Sequence, residues 1–200
     1  MLDAGALHEP KVGPNAIIQT GAALRAMAGR EAARAVFARA GLEPWFDAPP
    51  EAMVPQDAAA ALFDALREER PGDWEAIASV AGRLTAAYLL AYRIPTVARV
   101  MLHAAPPRLA GRLLLSAIGR NAWTFAGDGA FASTADDPCV IRITRNPLAQ
   151  PGCPWHCAVF EMLFRRLVMR RAQVVHTICQ AEGDDCCAFR VSLHPNQRKV

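Results

Sequence analysis

Five of the six cysteines and two of the five histidines fall between Cys153 and Phe189. Thiolate and imidazole are the ligands that zinc takes four at a time in tetrahedral array, and Cys153 or Cys157, His176, Cys179 and Cys187 supply that number. Cys153 and Cys157 open an apolar helical run, His176 and Cys179 lie in the β-like run that follows, and Cys187 stands just past the turn Ala181-Glu182-Gly183-Asp184-Asp185. With Gly183 at the centre of a hairpin, Cys179 and Cys187 are cross-strand partners. Their Cβ atoms then stand roughly 4.5 to 5.5 Å apart, near enough to share a metal ion or a disulfide. Cys186 points to the other face. His176 and Cys179 face opposite ways in a regular strand, so ligation from one side requires a bulge, or a strand that ends before Cys179. Four protein ligands leave no open position for water, so the metal expected here is structural. The alternative fate of the same cysteines is to be reduced and buried as small apolar side chains.

The elements that must position this cluster are helical first and β later. Apolar spacing predicts two short helices in a hairpin about Gly29, a proline-rich loop from Glu43 to Pro55 held down by Trp45, Phe46 and Met53, and a helix from Asp57 to Arg70. Asp73 then caps the longest helical run, from Trp74 to Ile94, which Pro95 ends. Ala78, Ala81, Gly82, Ala86 and Ala87 line that run with small side chains, which either admit close helix packing or leave a groove for a flat ligand. Further helices are expected over Thr96–Ala104 and Pro107–Arg120. Strands are expected over Trp123–Ala132, Cys139–Thr144, Ala172–Cys179 and Cys187–Leu193, with a helix from about Trp155 to Met169 between the second and third. The class is therefore α+β, with N-terminal helices packed on a four-stranded antiparallel sheet whose two hairpins are joined by a helix. A single domain over residues 1–200 is expected, mostly helical to residue 120 and sheet-forming over 121–194.

Composition narrows the function. Twenty arginines and two lysines against 19 acids give a net charge of +3, and the arginines are spread instead of gathered in a block. Nucleic acid is not indicated. No apolar run reaches the roughly 18 residues of a spanning helix, and Met1-Leu2-Asp3-Ala4 lacks the layout of a signal peptide. The expectation is a cytoplasmic protein, not transmembrane, with peripheral membrane association and a homodimer left open. Gly127-Asp128-Gly129-Ala130-Phe131-Ala132 matches G-x-G-x-x-A but opens no helix, so neither a nicotinamide nor a flavin site is evident.

The stretch Cys153 to Val191, with Cys179-Gln180-Ala181-Glu182-Gly183-Asp184-Asp185-Cys186-Cys187-Ala188-Phe189, resembles the end of the 4-vinyl reductase domain, a small-molecule-binding domain. Metal-binding members of that family end in Glu, two residues, Cys, seven residues and Cys, with a further Cys at the start of the preceding helix. The resemblance assigns the metal to Cys153, His176, Cys179 and Cys187, with His176 standing where the family has Glu and Cys157 as reserve. Gly13-Pro14-Asn15-Ala16-Ile17-Ile18, Ala81-Gly82-Arg83-Leu84-Thr85-Ala86-Ala87-Tyr88-Leu89-Leu90, Arg93-Ile94-Pro95, Asn121-Ala122-Trp123-Thr124-Phe125-Ala126-Gly127 and Asn146-Pro147-Leu148 resemble the J-protein family of bacteriochlorophyll biosynthesis. That resemblance implies a magnesium tetrapyrrole as ligand and other enzymes of the bacteriochlorophyll pathway as partners. It implies either a carrier or assembly factor, favoured by the missing cofactor motifs, or a reductase of the ring's vinyl group that uses an external reductant. Candidate ligand-binding residues are Gly82, Arg83, Tyr88, Arg93, Trp123 and Phe125. His103 is the candidate for the magnesium, and the catalytic residues of a reductase stay unknown.

Overall fold

The computed structural model describes residues 9–136 and 138–193; the first residues, Met1 to Ala4, lie outside them. Gly29 adopts φ 86° and ψ 169° inside α1 (Asn15–Arg39), a conformation closed to residues with a side chain. The chain doubles back there. A Cβ on Gly21 would stand 3.0 Å from the ring of Phe37, so the expected helical hairpin is present as halves 15–28 and 30–39. The loop after it is tied down as its apolar residues predicted. A short helix, α2 (Pro44–Asp47), buries Phe46 under the guanidinium groups of Arg25 and Arg34, 4.6 and 4.7 Å from its ring centre. β1 (Lys11–Val12) pairs with β2 (Val54–Pro55) at the end of the loop.

α3 (Gln56–Glu69) and α4 (Trp74–Tyr88) follow. α4 does not run straight to Pro95. It widens into a π-helical turn over Leu89–Arg93, closed by the Ile94 N–H donating to the Leu89 carbonyl at 2.9 Å. α5 (Thr96–Ala104) and α6 (Pro107–Arg120) come next, each started after a proline.

One expected strand is corrected. Trp123-Thr124-Phe125 carries β-favouring side chains, but these residues form the helical turn α7 (Trp123–Ala126), which stops at Gly127 with φ 56°. β3 (Ala130–Thr134) begins only after that turn, and β4 (Cys139–Thr144), α8 (Pro154–Leu167), β5 (Gln173–Ile178) and β6 (Cys186–Ser192) complete the fold. The sheet is antiparallel throughout in the order β3-β4-β6-β5. The fold is α+β, as expected.

α8 lies between the two layers. It packs on α4 on one side and on β5 on the other, and it buries Trp155, Phe160, Leu163, Phe164 and Leu167. α4 approaches it closely because Gly82 has no side chain: a Cβ there would meet the Trp155 carbonyl oxygen at 2.4 Å and the Ala158 Cβ at 2.9 Å. Of the two readings of the small-residue face, close helix packing is the one found at Gly82. Among the described residues no helix is long and apolar enough to cross a membrane.

Candidate metal centre and ligand cavity

The start of α8 and the β5–β6 hairpin bring Cys153, His176, Cys179 and Cys187 together, with their ligand atoms all within 4.8 Å of one another. Each arrives by a specific backbone device. Gly152 and Cys153 are consecutive left-handed residues, φ 68° and 43°, and this corner turns the Cys153 sulfur inward before Pro154 sets the first helical position. In the hairpin, His176 pairs with Phe189 and Ile178 with Ala188, so the register slips by one residue at Thr177. That bulge, and the end of β5 at Ile178, put His176 and Cys179 on the same side. Cys179 is extended and held by its N–H donating to the Asp184 carboxylate at 2.9 Å, while Gly183 turns the chain at φ 105°.

The three thiols sit in different electrostatic surroundings. Cys153 donates its S–H to the Cys187 sulfur across 3.5 Å, and this bond is the main reason the Cys187 thiol is pushed down while that of Cys153 is pushed up. The nearby polar side chains of His176 and Asn146 also favour the Cys187 thiolate. Burial pushes the Cys179 thiol up. Nε2 of His176 is buried without a hydrogen-bond partner, a loss that a coordinated ion would make good. Three sulfurs and one imidazole supply four donors, so the cluster could hold a metal ion. Cys157 lies outside the set, half-buried, its Sγ 3.7 Å from the Gly152 carbonyl oxygen. Its thiol is raised to about 12 by burial. Cys186 sits opposite Thr144 of β4, also outside the set.

Beside the metal cluster, a cavity of about 700 Å³ lies between the helices. Its walls come from the end of α4 with the π turn (Thr85, Tyr88, Leu89, Tyr92, Arg93), from α6 (Leu114, Ala117, Ile118) and from α8 (Trp155, Val159, Phe160, Leu163), with Asn121, Trp123 and Phe125 between α6 and β3. A π turn rotates successive side chains away from the α-helical stripe, and three of the five residues of this one, Leu89, Tyr92 and Arg93, line the cavity. Of the ligand-binding residues expected from sequence, Tyr88, Arg93, Trp123 and Phe125 line it. Gly82 faces α8 instead. Arg83 is exposed one residue on, and His103 is exposed on α5 with Nδ1 2.7 Å from the Arg99 carbonyl oxygen; neither lines the cavity.

The sequence reading missed His156. It is buried on α8, three residues after Cys153, and neither ring nitrogen has a hydrogen-bond partner. Its ring centre lies 6.3 Å from that of Phe125 and 6.1 Å from that of Phe160, both on the cavity wall, and 5.7 Å from that of Phe189, which in turn lies 5.0 Å from His176. His156 thus separates the cavity from the metal cluster. A lone histidine in an apolar helical run carries no sequence signal beyond its spacing from Cys153.

Burial lowers the His156 pKa to about 4. Above the unfolded value of about 6.5 neither state holds the proton, so the shift costs nothing there. As pH falls toward 4 the unfolded chain binds a proton that the native state refuses, and the native state loses stability. The expected loss is about 2 kcal/mol between pH 7.5 and 5. Urea unfolding of wild type and His156→Phe at both pH values checks it: the variant should lose less by that amount, and equal losses would show that His156 does not contribute.

The chain is similar along nearly its whole length to two proteins named bacteriochlorophyll synthase 23 kDa chain. That of Cereibacter sphaeroides is 37% identical over 196 residues, 95% of this chain and 94% of the relative. That of Rhodobacter capsulatus is 37% identical over 197 residues, 96% and 91% respectively. No family model matches the chain. Among solved structures, one described as probing the function of heme distortion in the H-NOX family superposes with a TM-score of 0.57 at 10% identity, covering 94% of this chain and 98% of that one. An H-NOX protein from S. oneidensis in the Fe(II)NO ligation state superposes with a TM-score of 0.56 at 8% identity, covering 92% and 100%. At such identities the likeness is one of fold, and the fold is that of H-NOX proteins. Family membership rests on the two long sequence matches: the chain belongs to the bacteriochlorophyll synthase 23 kDa chain family, the J-protein family of bacteriochlorophyll biosynthesis.

Proposed function

We propose that the protein binds a magnesium tetrapyrrole of the bacteriochlorophyll pathway in the cavity between α4, α6 and α8 and serves the pathway as a carrier or assembly factor. The observation that carries this is the make-up of the cavity wall. Leu89, Leu114, Ile118, Val159 and Leu163 supply apolar surface, Trp123, Phe125, Trp155 and Phe160 supply rings for a macrocycle to lie against, and Arg93 stands at the wall as a cation for a carboxylate. At about 700 Å³ the cavity falls within the usual size of small-molecule sites. Thr85, Tyr88 and Asn121 add oxygen-bearing side chains, the class of donor that magnesium takes. Two further observations support the reading: the names of the relatives, and a solved structure of the same fold, with a TM-score of 0.52, described as modulating heme redox potential through protein-induced porphyrin distortion. Zinc is the ion proposed for the cysteine cluster, because three thiolates and an imidazole suit it better than any hard cation. It acts as a structural bolt beside the cavity.

Titration of the purified protein with a soluble magnesium porphyrin, followed by absorbance and fluorescence, tests the proposal. Saturable binding at micromolar concentration or tighter is expected. Ala117→Trp, which fills the cavity from an exposed position on its wall, should abolish binding. Arg93→Ala should weaken it roughly three- to tenfold, since its guanidinium is part-solvated. Absence of saturation, or binding indifferent to both changes, would overturn the assignment. A divinyl substrate supplied with reductants distinguishes the alternative: loss of the vinyl group during binding would make the protein a reductase.

A further inference from the structure

The surface around the cavity mouth carries a second, independent pattern. Of the nine large hydrophobic side chains exposed among the described residues, seven lie between Tyr92 and Trp123. Val97, Val100 and Met101 form one stripe of α5, and Leu109 and Leu113 stand one turn apart on α6. Tyr92 and Trp123, 76% and 53% exposed, also line the cavity and so mark its mouth. Along this stretch of the chain the charge has one sign, and the exposed Glu51 is the acid that also lines the cavity. Between Glu75 and Asp128 there is no acidic residue, while Arg83, Arg93, Arg99, Arg108, Arg112 and Arg120 fall in that interval. Some arginines elsewhere are paired, as Arg30 and Arg34 are to Asp47 and Arg39 to Glu68, while others, such as Arg142, Arg145, Arg166, Arg170, Arg171 and Arg190, form no ion pair among the described residues. Those of the acid-free interval form no ion pair among the described residues.

We propose that the α5–α6 face docks on an anionic lipid bilayer, with the cavity mouth toward the membrane. Amphipathic helices that show valine, methionine, leucine and tryptophan beside arginine bind at the interface of such bilayers: the apolar side chains enter the acyl boundary and the guanidinium groups take lipid phosphates. The arginines are spread along two helices and a turn, which matches a continuous field of phosphates better than the point-by-point pairing of a protein partner. This docking is independent of what the cavity holds. It would let an amphiphilic ligand pass between membrane and cavity without crossing bulk water.

Sedimentation with vesicles of phosphatidylcholine, with and without phosphatidylglycerol, is the test. The protein should sediment with the anionic vesicles, be released by high salt, and remain in solution with phosphatidylcholine alone. Arg108→Glu with Arg112→Glu, and separately Val100→Asp with Met101→Asp, should each weaken binding roughly tenfold or more. All four positions are exposed, so circular dichroism should be unchanged; should the apolar pair of changes disturb the fold, the charge reversal still decides. Protein left in solution with anionic vesicles would overturn the proposal, as would binding indifferent to charge reversal. A dimer in size-exclusion chromatography that Val100→Asp dissolves, without vesicle binding, would assign the face to a second copy of the chain and overturn it equally.

Discussion

Removing the metal from the purified protein with a strong chelator is expected to lower its melting temperature by roughly 20 °C or more. The reasoning starts from the cluster. Cys153 belongs to the helix start, while His176, Cys179 and Cys187 belong to one hairpin, so an ion held by all of them cross-links α8 to the sheet edge. The unfolded chain cannot present the four ligands together, and the binding free energy, about 10 kcal/mol or more for structural zinc, therefore counts toward folding. A domain whose net stability is about 5–15 kcal/mol loses most of it with the ion. Without the ion, three buried thiols and the orphaned Nε2 of His176 would also remain in the interior. Metal analysis should find one zinc per chain. Cys187→Ala should lose it and melt with the stripped protein, whereas Cys186→Ala should keep both metal and stability. A melting temperature unchanged after complete demetallation would show the cluster to be ordinary packed cysteine.

Replacing Gly82 by leucine is expected to cost about 3 kcal/mol or more, roughly 6–12 °C in melting temperature. The obstacle to a side chain at this position is backbone: the Trp155 carbonyl oxygen would be 2.4 Å from a Cβ. A flexible side chain could swing away, but a carbonyl in the first turn of a helix moves only if the whole helix shifts. α8 carries the Cys153 corner and the cavity residues Trp155, Val159, Phe160 and Leu163, so a shift of α8 would disturb metal and cavity together. Even Gly82→Ala should destabilise, by roughly 1–3 kcal/mol. Thermal melts of the two variants against wild type decide the matter; a leucine variant that melts with wild type would mean that α4 and α8 are not packed at Gly82 as described.

The parts of the site that could be read in the sequence are those fixed by local rules. A hairpin centred on Gly183 sets the register of Cys179 against Cys187 by counting alone, and the need for a bulge between His176 and Cys179 followed from the alternation of side chains along a strand. Most helices and three of the four strands of the main sheet showed their periodicity and their proline or glycine ends. What stayed hidden depends on which neighbour a face meets. Spacing could not tell that Gly82 faces α8 while Thr85 and Tyr88 face the cavity, or that Arg83 and His103 point to solvent. Trp123-Thr124-Phe125 misled because β propensity describes a half-buried surface in general, and the tight turn before Gly127 decided the backbone locally. His156 was invisible for the same reason as any buried polar residue in an apolar helix: only the three-dimensional neighbours show that it has no partner.

The packing of α4 on α8 also constrains the order of events while the chain is being made. α4 leaves the ribosome early and can pack on α1 at once, yet the α8 backbone that covers Gly82 is not synthesised until α5, α6 and the first hairpin have passed. Through that interval the α8-facing side of α4 at Gly82 has no native partner, and Cys153, His176, Cys179 and Cys187 do not yet exist. The α8-facing side of the helical layer is therefore exposed to self-association in the growing chain, and native closure waits for α8 and the hairpin of Cys179 and Cys187 to arrive almost last.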